Sequence, residues 1–254
     1  MLWAIDIGNT HTVIGIHDGE WRQVWRLSTR TDDTEDQTAS VIHGLCHLAG
    51  LPMSASCVLA CSVVPSANSG WKSFAAKYLG VEAIFVSTGQ QVGIRVDYDP
   101  PHAVGADRIV NALAATKKFG APVIIVDFGT ATTCDTVSSD GAYLGGAIIP
   151  GLQTSWEALA LKAAKLPTFE LQAPETAIGT NTVGALRSGV MLGHAGAVDR
   201  VVSAIQEELG SHTPVIGTGG LAVKFQDLCE SIETVDELLT LDGLLFACKI
   251  MLQE

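Results

Sequence analysis

Ala4-Ile5-Asp6-Ile7-Gly8-Asn9-Thr10, near the start of the chain, and Ile125-Val126-Asp127-Phe128-Gly129-Thr130-Ala131, near its middle, share one design. In each, an apolar run ends in an aspartate, a glycine follows two residues later, and a threonine comes next or next but one. The likeness continues downstream. A second apolar run (12–17 and 132–137) leads to a tight turn, Asp18-Gly19-Glu20 or Ser139-Asp140-Gly141, and then to a third run (21–27 and 143–149). Short apolar runs joined by Gly-containing turns read as strands of a meander. Two such openings half a chain apart indicate an internal duplication.

Working outward, 32–48 reads as a helix. Thr34 and Gln37 have capping-box spacing, and Val41, Ile42, Leu45 and Leu48 share an apolar face. Strands at 58–64 and 83–86 flank a helix at about 67–79. The segment 90–98 then runs to the turn Asp99-Pro100-Pro101, and a helix spans 102–118. Phe119-Gly120-Ala121-Pro122 is the best boundary, giving expected lobes 1–118 and 119–254. The second lobe takes strands at 123–127, 132–137, 143–149 and 214–217, and a long helix at 183–205. Alternating strands and helices specify an α/β fold of two similar lobes with mixed sheets and a cleft between them.

The chain has 254 residues, 47% of them hydrophobic and 17% charged, enough for a substantial core and unlike a disordered segment. Fifteen Lys and Arg against 27 Asp and Glu give a net charge of −12. With no basic run to offset it, that field argues against nucleic acid and against an anionic bilayer. The N-terminus lacks the basic start and apolar stretch of a secretory signal, so a cytoplasmic location is expected. The apolar stretch 183–205 is broken by Arg187, His194 and Asp199, so it does not read as a membrane span. Six cysteines without a C-x-x-C pair fit buried thiols in a reducing compartment.

The repeated loops suggest phosphate binding. Glycine lets the backbone double back, and loop N–H groups with hydroxyls from Thr10, Thr130 and Thr132 could hold a phosphate chain. Aspartates there need a cation between them and the phosphates, and Mg²⁺ binds in that manner through carboxylate and water. The plainer reading of either loop alone is a capped turn. Gly217-Thr218-Gly219-Gly220-Leu221-Ala222 is a third loop after a strand, open enough for a base or ribose to approach. At the start of the 102–118 helix, Gly105-Ala106-Asp107-Arg108 places an acid in a first helical turn. There it either complements the helix dipole or aligns an alcohol and takes its proton, with Arg108 available to an anion.

In these four motifs, in this order, the sequence resembles the type III pantothenate kinases. They belong to the actin, sugar kinase and Hsp70-like superfamily of duplicated RNase H-like folds. The resemblance covers nearly the whole chain and is most specific in Val104-Gly105-Ala106-Asp107-Arg108-Ile109-Val110-Asn111. It implies ATP-dependent phosphorylation of the pantothenate hydroxyl to 4′-phosphopantothenate, the first step towards coenzyme A, with Asp107 as base. It assigns ATP contacts to Asp6, Ile7, Gly8, Asn9, Thr10, His11, Thr12, Val13, Gly129, Thr130, Gly217, Gly219 and Gly220. Pantothenate contacts fall to Tyr98, Gly105, Ala106, Asp107, Arg108 and Thr182. Asp127 is matched to a monovalent-cation ligand (K⁺ or NH₄⁺), while Mg²⁺ held through water is expected at Asp6 from the loop chemistry. A homodimer is implied, with the Gly-rich 183–205 helix at the subunit contact. Thr180, Gly184 and Cys134 depart from the family's pattern, and the first two bear on the substrate pocket and dimer contacts.

Other readings rank lower. His43, Cys46 and His47 could suggest zinc on one helix face, but the metalloprotease glutamate is missing. The five tryptophans form no stacking platform. A sugar kinase would share the phosphate loops but not the Gly105 to Arg108 segment. A silent, regulatory relative would be expected to have lost one of Asp6, Asp107 or Asp127.

Overall fold

The computed structural model describes residues 1–163, 167 and 169–252. The chain divides into two units, Met1–Ala114 with Thr240–Glu254, and Ala115–Leu239.

The first unit opens with β1 (Leu2–Ile7), β2 (His11–His17) and β3 (Trp21–Ser28), followed by α1 (Glu35–Ala49), β4 (Cys57–Ser62), α2 (Pro65–Phe74) and β5 (Ala83–Val86). The sheet order is β3-β2-β1-β4-β5. The β1–β2 and β2–β3 pairs are antiparallel, and β1–β4 and β4–β5 are parallel. The expected capping box forms at α1: Thr34 Oγ1 accepts from Gln37 N–H at 3.3 Å, while the Thr34 N–H donates to Gln37 Oε1 at 2.8 Å. Gly50 ends α1 in the left-handed region at φ 65°. The expected helix at 67–79 begins earlier, because Pro65 suits a first helical position, and its last turn, Ala75–Leu79, widens to π geometry. Trp3, Ile5, Ile7, Ile14, Ile42 and Phe74 are fully buried in one core.

After α3 (Ala106–Phe119), the second unit repeats the plan with β6 (Val123–Phe128), β7 (Ala131–Val137), β8 (Tyr143–Pro150), α4 (Leu152–Lys162), α5 (Thr182–Leu209), β9 (Val215–Thr218), α6 (Ala222–Phe225) and β10 (Thr234–Val235). Its order, β10-β9-β6-β7-β8, is the first sheet's order in the corresponding strands, with the same parallel and antiparallel pairings. A register shift falls between Ile16 and His17 in β2 and between Thr136 and Val137 in β7, so even the bulge is duplicated.

The last helix, α7 (Leu239–Met251), belongs to the first unit, whereas a division at 118/119 assigns it to the second. Leu244 and Ala247 are buried, Asp242 accepts from Trp21 Nε1–H at 2.8 Å, and a side chain on Gly243 would overlap the Val110 carbonyl of α3. Burial of an apolar helix on a distant partner is not written in local periodicity. Among the described residues, no helix is long and apolar enough to cross a membrane.

Candidate active site

In the first unit, β1 and β4 run parallel in a register that sets Asp6 opposite Cys61. Asp6 is partly buried and Cys61 fully buried, and the thiol Sγ–H donates to Asp6 Oδ1 at 3.4 Å. Asp107 stands in the first turn of α3, where its Oδ1 accepts the Arg108 N–H at 2.8 Å. A side chain on Gly105 would overlap that oxygen, so glycine there leaves the carboxyl room to fold back. Burial, and next the charge of Asp107, push the Asp6 carboxyl from its ordinary 3.8 up to about 7; the Cys61 thiol and Arg26 oppose the rise. Two carboxylates from different elements thus act on each other in one unit and call for positive charge beside them.

The two aspartate loops are built alike. Gly8 N–H donates to His11 O at 3.0 Å and Gly129 N–H to Ala131 O at 3.1 Å. A side chain on Gly8 would sit 3.0 Å from His11 O, and one on Gly129 3.2 Å from Ala131 O. Close backbone approach within each hairpin therefore explains both glycines. Their amides are spent inside the loops and do not point outward as a phosphate cradle. Exposed Asn9, Thr10, His11 and Thr130 form the tips.

Each loop has a buttress from the end of the third strand, a feature that sequence reading missed. Thr29 N–H donates to Thr10 O at 2.9 Å, and its hydroxyl donates to Gly8 O at 2.6 Å. At the matching place in the repeat, Gly151 N–H donates to Thr130 O at 3.2 Å, joined by the Thr154 hydroxyl at 2.7 Å. A side chain on Gly151 would overlap the Thr130 carbonyl. The signal was available: Thr29 and Gly151 each lie just past the third strand of their meander.

In the second unit the glycine loop lies against the second aspartate. Parallel β6 and β9 pair Asp127 with Thr218, and Gly219 follows at φ 90°, a left-handed conformation that favours glycine. A side chain on Gly219 would overlap Asp127 Oδ1 and the Phe128 backbone. Gly220 is exposed, while Gly217 is buried with Ile232 and Val235 beside it, so Gly217 serves packing.

One expected phosphate contact changes. Thr132 is buried and its hydroxyl pairs with His194 Nε2 at 3.0 Å, so it is not a phosphate donor. Burial holds His194 below the usual histidine range. Thr12, its counterpart, is likewise buried and shares a hydrogen bond with the Thr29 hydroxyl at 3.0 Å. Ile7 is fully buried in the first core, which leaves only its backbone for nucleotide. Val13 is partly buried in β2, and Tyr98 partly buried in the segment before α3. Thr182 is the exposed first residue of α5, whose N-cap, Asn181, accepts from Gly184 N–H at 2.9 Å. His43 and His47 face solvent while Cys46 turns to the core, so the three do not converge. No group of metal-ligating side chains is found among the described residues.

Residues 2–204 match the family described as type III pantothenate kinase. The chain belongs to that family. A type III pantothenate kinase of Thermomicrobium roseum is 46% identical over 246 residues, 96% of this chain and 95% of its relative. One from Anaeromyxobacter sp. (strain Fw109-5) is 44% identical, covering 96% of this chain and 97% of its own length. Among solved structures, a Campylobacter jejuni protein described as a Baf family transcriptional activator superposes with a TM-score of 0.65 at 18% identity, over 99% of this chain and all of that one. At that identity the likeness speaks for architecture alone. The fold is the duplicated, actin-like ATPase fold, two similar units each built on a mixed five-stranded sheet.

Proposed function

We propose that this chain transfers the terminal phosphoryl group of ATP to the primary hydroxyl of pantothenate. The product is 4′-phosphopantothenate, the reaction is the first step of coenzyme A biosynthesis, and Asp107 is the general base. Family membership supports the reaction. The observation that supports the residue assignment is the place of Asp107 in the first turn of α3, in the same unit as Asp6, with its Oδ1 held by the Arg108 N–H.

Phosphoryl transfer asks little covalent chemistry of the protein; positioning and charge carry most of the catalysis. Asp107, its carboxyl fixed through Oδ1 by the Arg108 N–H, aligns the pantothenate hydroxyl. It takes the hydroxyl proton as the new O–P bond forms and the bond from the γ-phosphorus to the bridging oxygen breaks, with ADP leaving. Arg108 and Tyr98, with Gly105 and Ala106 on the same approach and Thr182 at the start of α5, bind the acceptor. Asn9, Thr10, His11 and Thr130 hold the phosphates, and Gly219 and Gly220 the adenosine.

Hard carboxylate oxygens whose repulsion positive charge relieves fit a divalent cation. Asp6 would hold Mg²⁺ through water, and the ion would neutralise phosphate charge. Asp127, an oxygen donor pressed against the backbone at Gly219, fits a monovalent cation, K⁺ or NH₄⁺, that would support the nucleotide. A homodimer is expected through α5, where side chains added at Gly189, Gly193 or Gly196 would meet nothing within 4 Å. The enzyme is expected to act in the cytoplasm.

Purified protein given ATP, Mg²⁺, K⁺ and a panel of alcohols should release ADP with pantothenate and form its phosphate ester. Faster turnover of a sugar would reassign the acceptor, and no turnover with any alcohol would favour a regulatory nucleotide-binding protein.

A further inference from the structure

Beside Asp6 the first unit holds a side chain that the proposed reaction has not used. Cys61 is fully buried near the end of β4, and the parallel register aims it at the motif aspartate of β1. We propose that Cys61 is a positioning residue for phosphoryl transfer: its thiol donates to Asp6 Oδ1, so the other carboxylate oxygen of Asp6 serves the Mg²⁺ and nucleotide. The inference rests on the kinase reading above and adds a residue to that site.

Two observations support it. The Sγ to Oδ1 separation is 3.4 Å, within the reach of a sulfur donor. Neighbouring backbone fixes both partners, because Asp6 pairs with Val13 on one side and Cys61 on the other, while Cys61 also pairs with Val86. The donor thus sits in the interior of a sheet and cannot drift as a loop side chain would.

The internal repeat adds an independent argument. At the corresponding register position of the second sheet, Thr218 of β9 stands opposite Asp127 of β6, and it too is buried. Each copy of the duplicated fold therefore places a small residue bearing an S–H or O–H group opposite its motif aspartate. An aliphatic residue would pack equally well in a sheet interior and would leave the carboxylate without that donor.

The test compares Cys61→Ala, Cys61→Val and Cys61→Ser with wild type. Valine fills the space without a donor, and serine restores a donor with similar bulk. Calorimetric Kd for ADP with Mg²⁺ is read without turnover, and the Mg²⁺ concentration for half-maximal phosphorylation is measured beside it. Loss of one such hydrogen bond should weaken both by about 3–10-fold in Cys61→Ala and Cys61→Val. Cys61→Ser should stay within about twofold of wild type. Ala and Val variants that bind Mg²⁺ and ADP like wild type, or a Ser variant no better than Val, would overturn the assignment and leave Cys61 a packing residue. Should alanine prevent folding, the Val and Ser pair decides alone. Wild-type turnover of pantothenate in the same assay separates this outcome from a failure of the kinase reading.

Discussion

Replacing Asp6 by asparagine should stabilise the protein in the absence of nucleotide and metal while abolishing its activity. The carboxyl is pushed from 3.8 up to about 7, first by burial and then by Asp107. At roughly 1.4 kcal/mol per pH unit, that displacement bounds the cost of the charged form at about 4 kcal/mol. Water at a partly exposed group screens it, and we expect ~1–2 kcal/mol to be measurable. The sign follows from proton linkage. The folded state holds this proton to a higher pH than the unfolded chain does, so wild type loses stability as pH rises from about 4 to 7, and the loss persists above 7. Asparagine carries no such cost, so its advantage should be full at pH 8 and gone by about pH 4. For a chain of this size, each kcal/mol moves Tm by about 2–4 °C, so the gain at pH 8 should be about 2–8 °C in the transition that reports the first unit. Thermal scans with EDTA at pH 4.5, 6 and 8 measure it by circular dichroism. A lower Tm for the variant at pH 8, or a gain that does not change with pH, would refute the electrostatic account of Asp6.

Further predictions concern the ligands. With Mg²⁺ at Asp6 as proposed, the ion competes with a proton there, so Mg²⁺-dependent ADP binding to wild type should weaken as pH falls from 8 to 6, with proton release on binding; calorimetry in buffers of different ionisation enthalpy reads both. Gly219→Ala should raise KM for ATP about tenfold, because its side chain would overlap Asp127 Oδ1 at a φ of 90°. Gly210→Ala, at φ 68° in open space after α5, should cost about 1 kcal/mol of stability in denaturant titration and leave KM unchanged. Exchanging K⁺ for Na⁺ should raise KM for ATP, and Asp127→Asn should remove that sensitivity in the same kinetic assay.

Much of the fold was legible because it is written in local signals. The strands Leu2–Ile7 and Ala83–Val86 follow from their apolar runs, and α1 from the Thr34 capping box and the glycine that ends it. The repeat could be read because an aspartate and a close-approach glycine recur with the same downstream turns. Local reading failed where distant partners decide. The two residues of β10 are too few to show a period, and α7 joins the first unit by contacts with Trp21 and α3. The error at Thr132 was avoidable. Along β2, Thr12 alternates into the same buried face as Ile14 and Ile16, and Thr132 holds the matching place in β7 with Cys134 and Thr136. Period-two reading would have placed both hydroxyls inside. The coupling of Asp6 to Asp107 joins a strand end to a helix start about 100 residues away, so only the fold or a family motif can reveal it.

The most direct measurement is the kinetics of Asp107→Asn with pantothenate, alongside its calorimetric affinity for Mg²⁺ and ADP. Removal of the proposed base should lower kcat about 10²–10⁴-fold and leave nucleotide affinity within a few-fold of wild type. A variant that turns over pantothenate at near wild-type kcat would show that another group takes the hydroxyl proton.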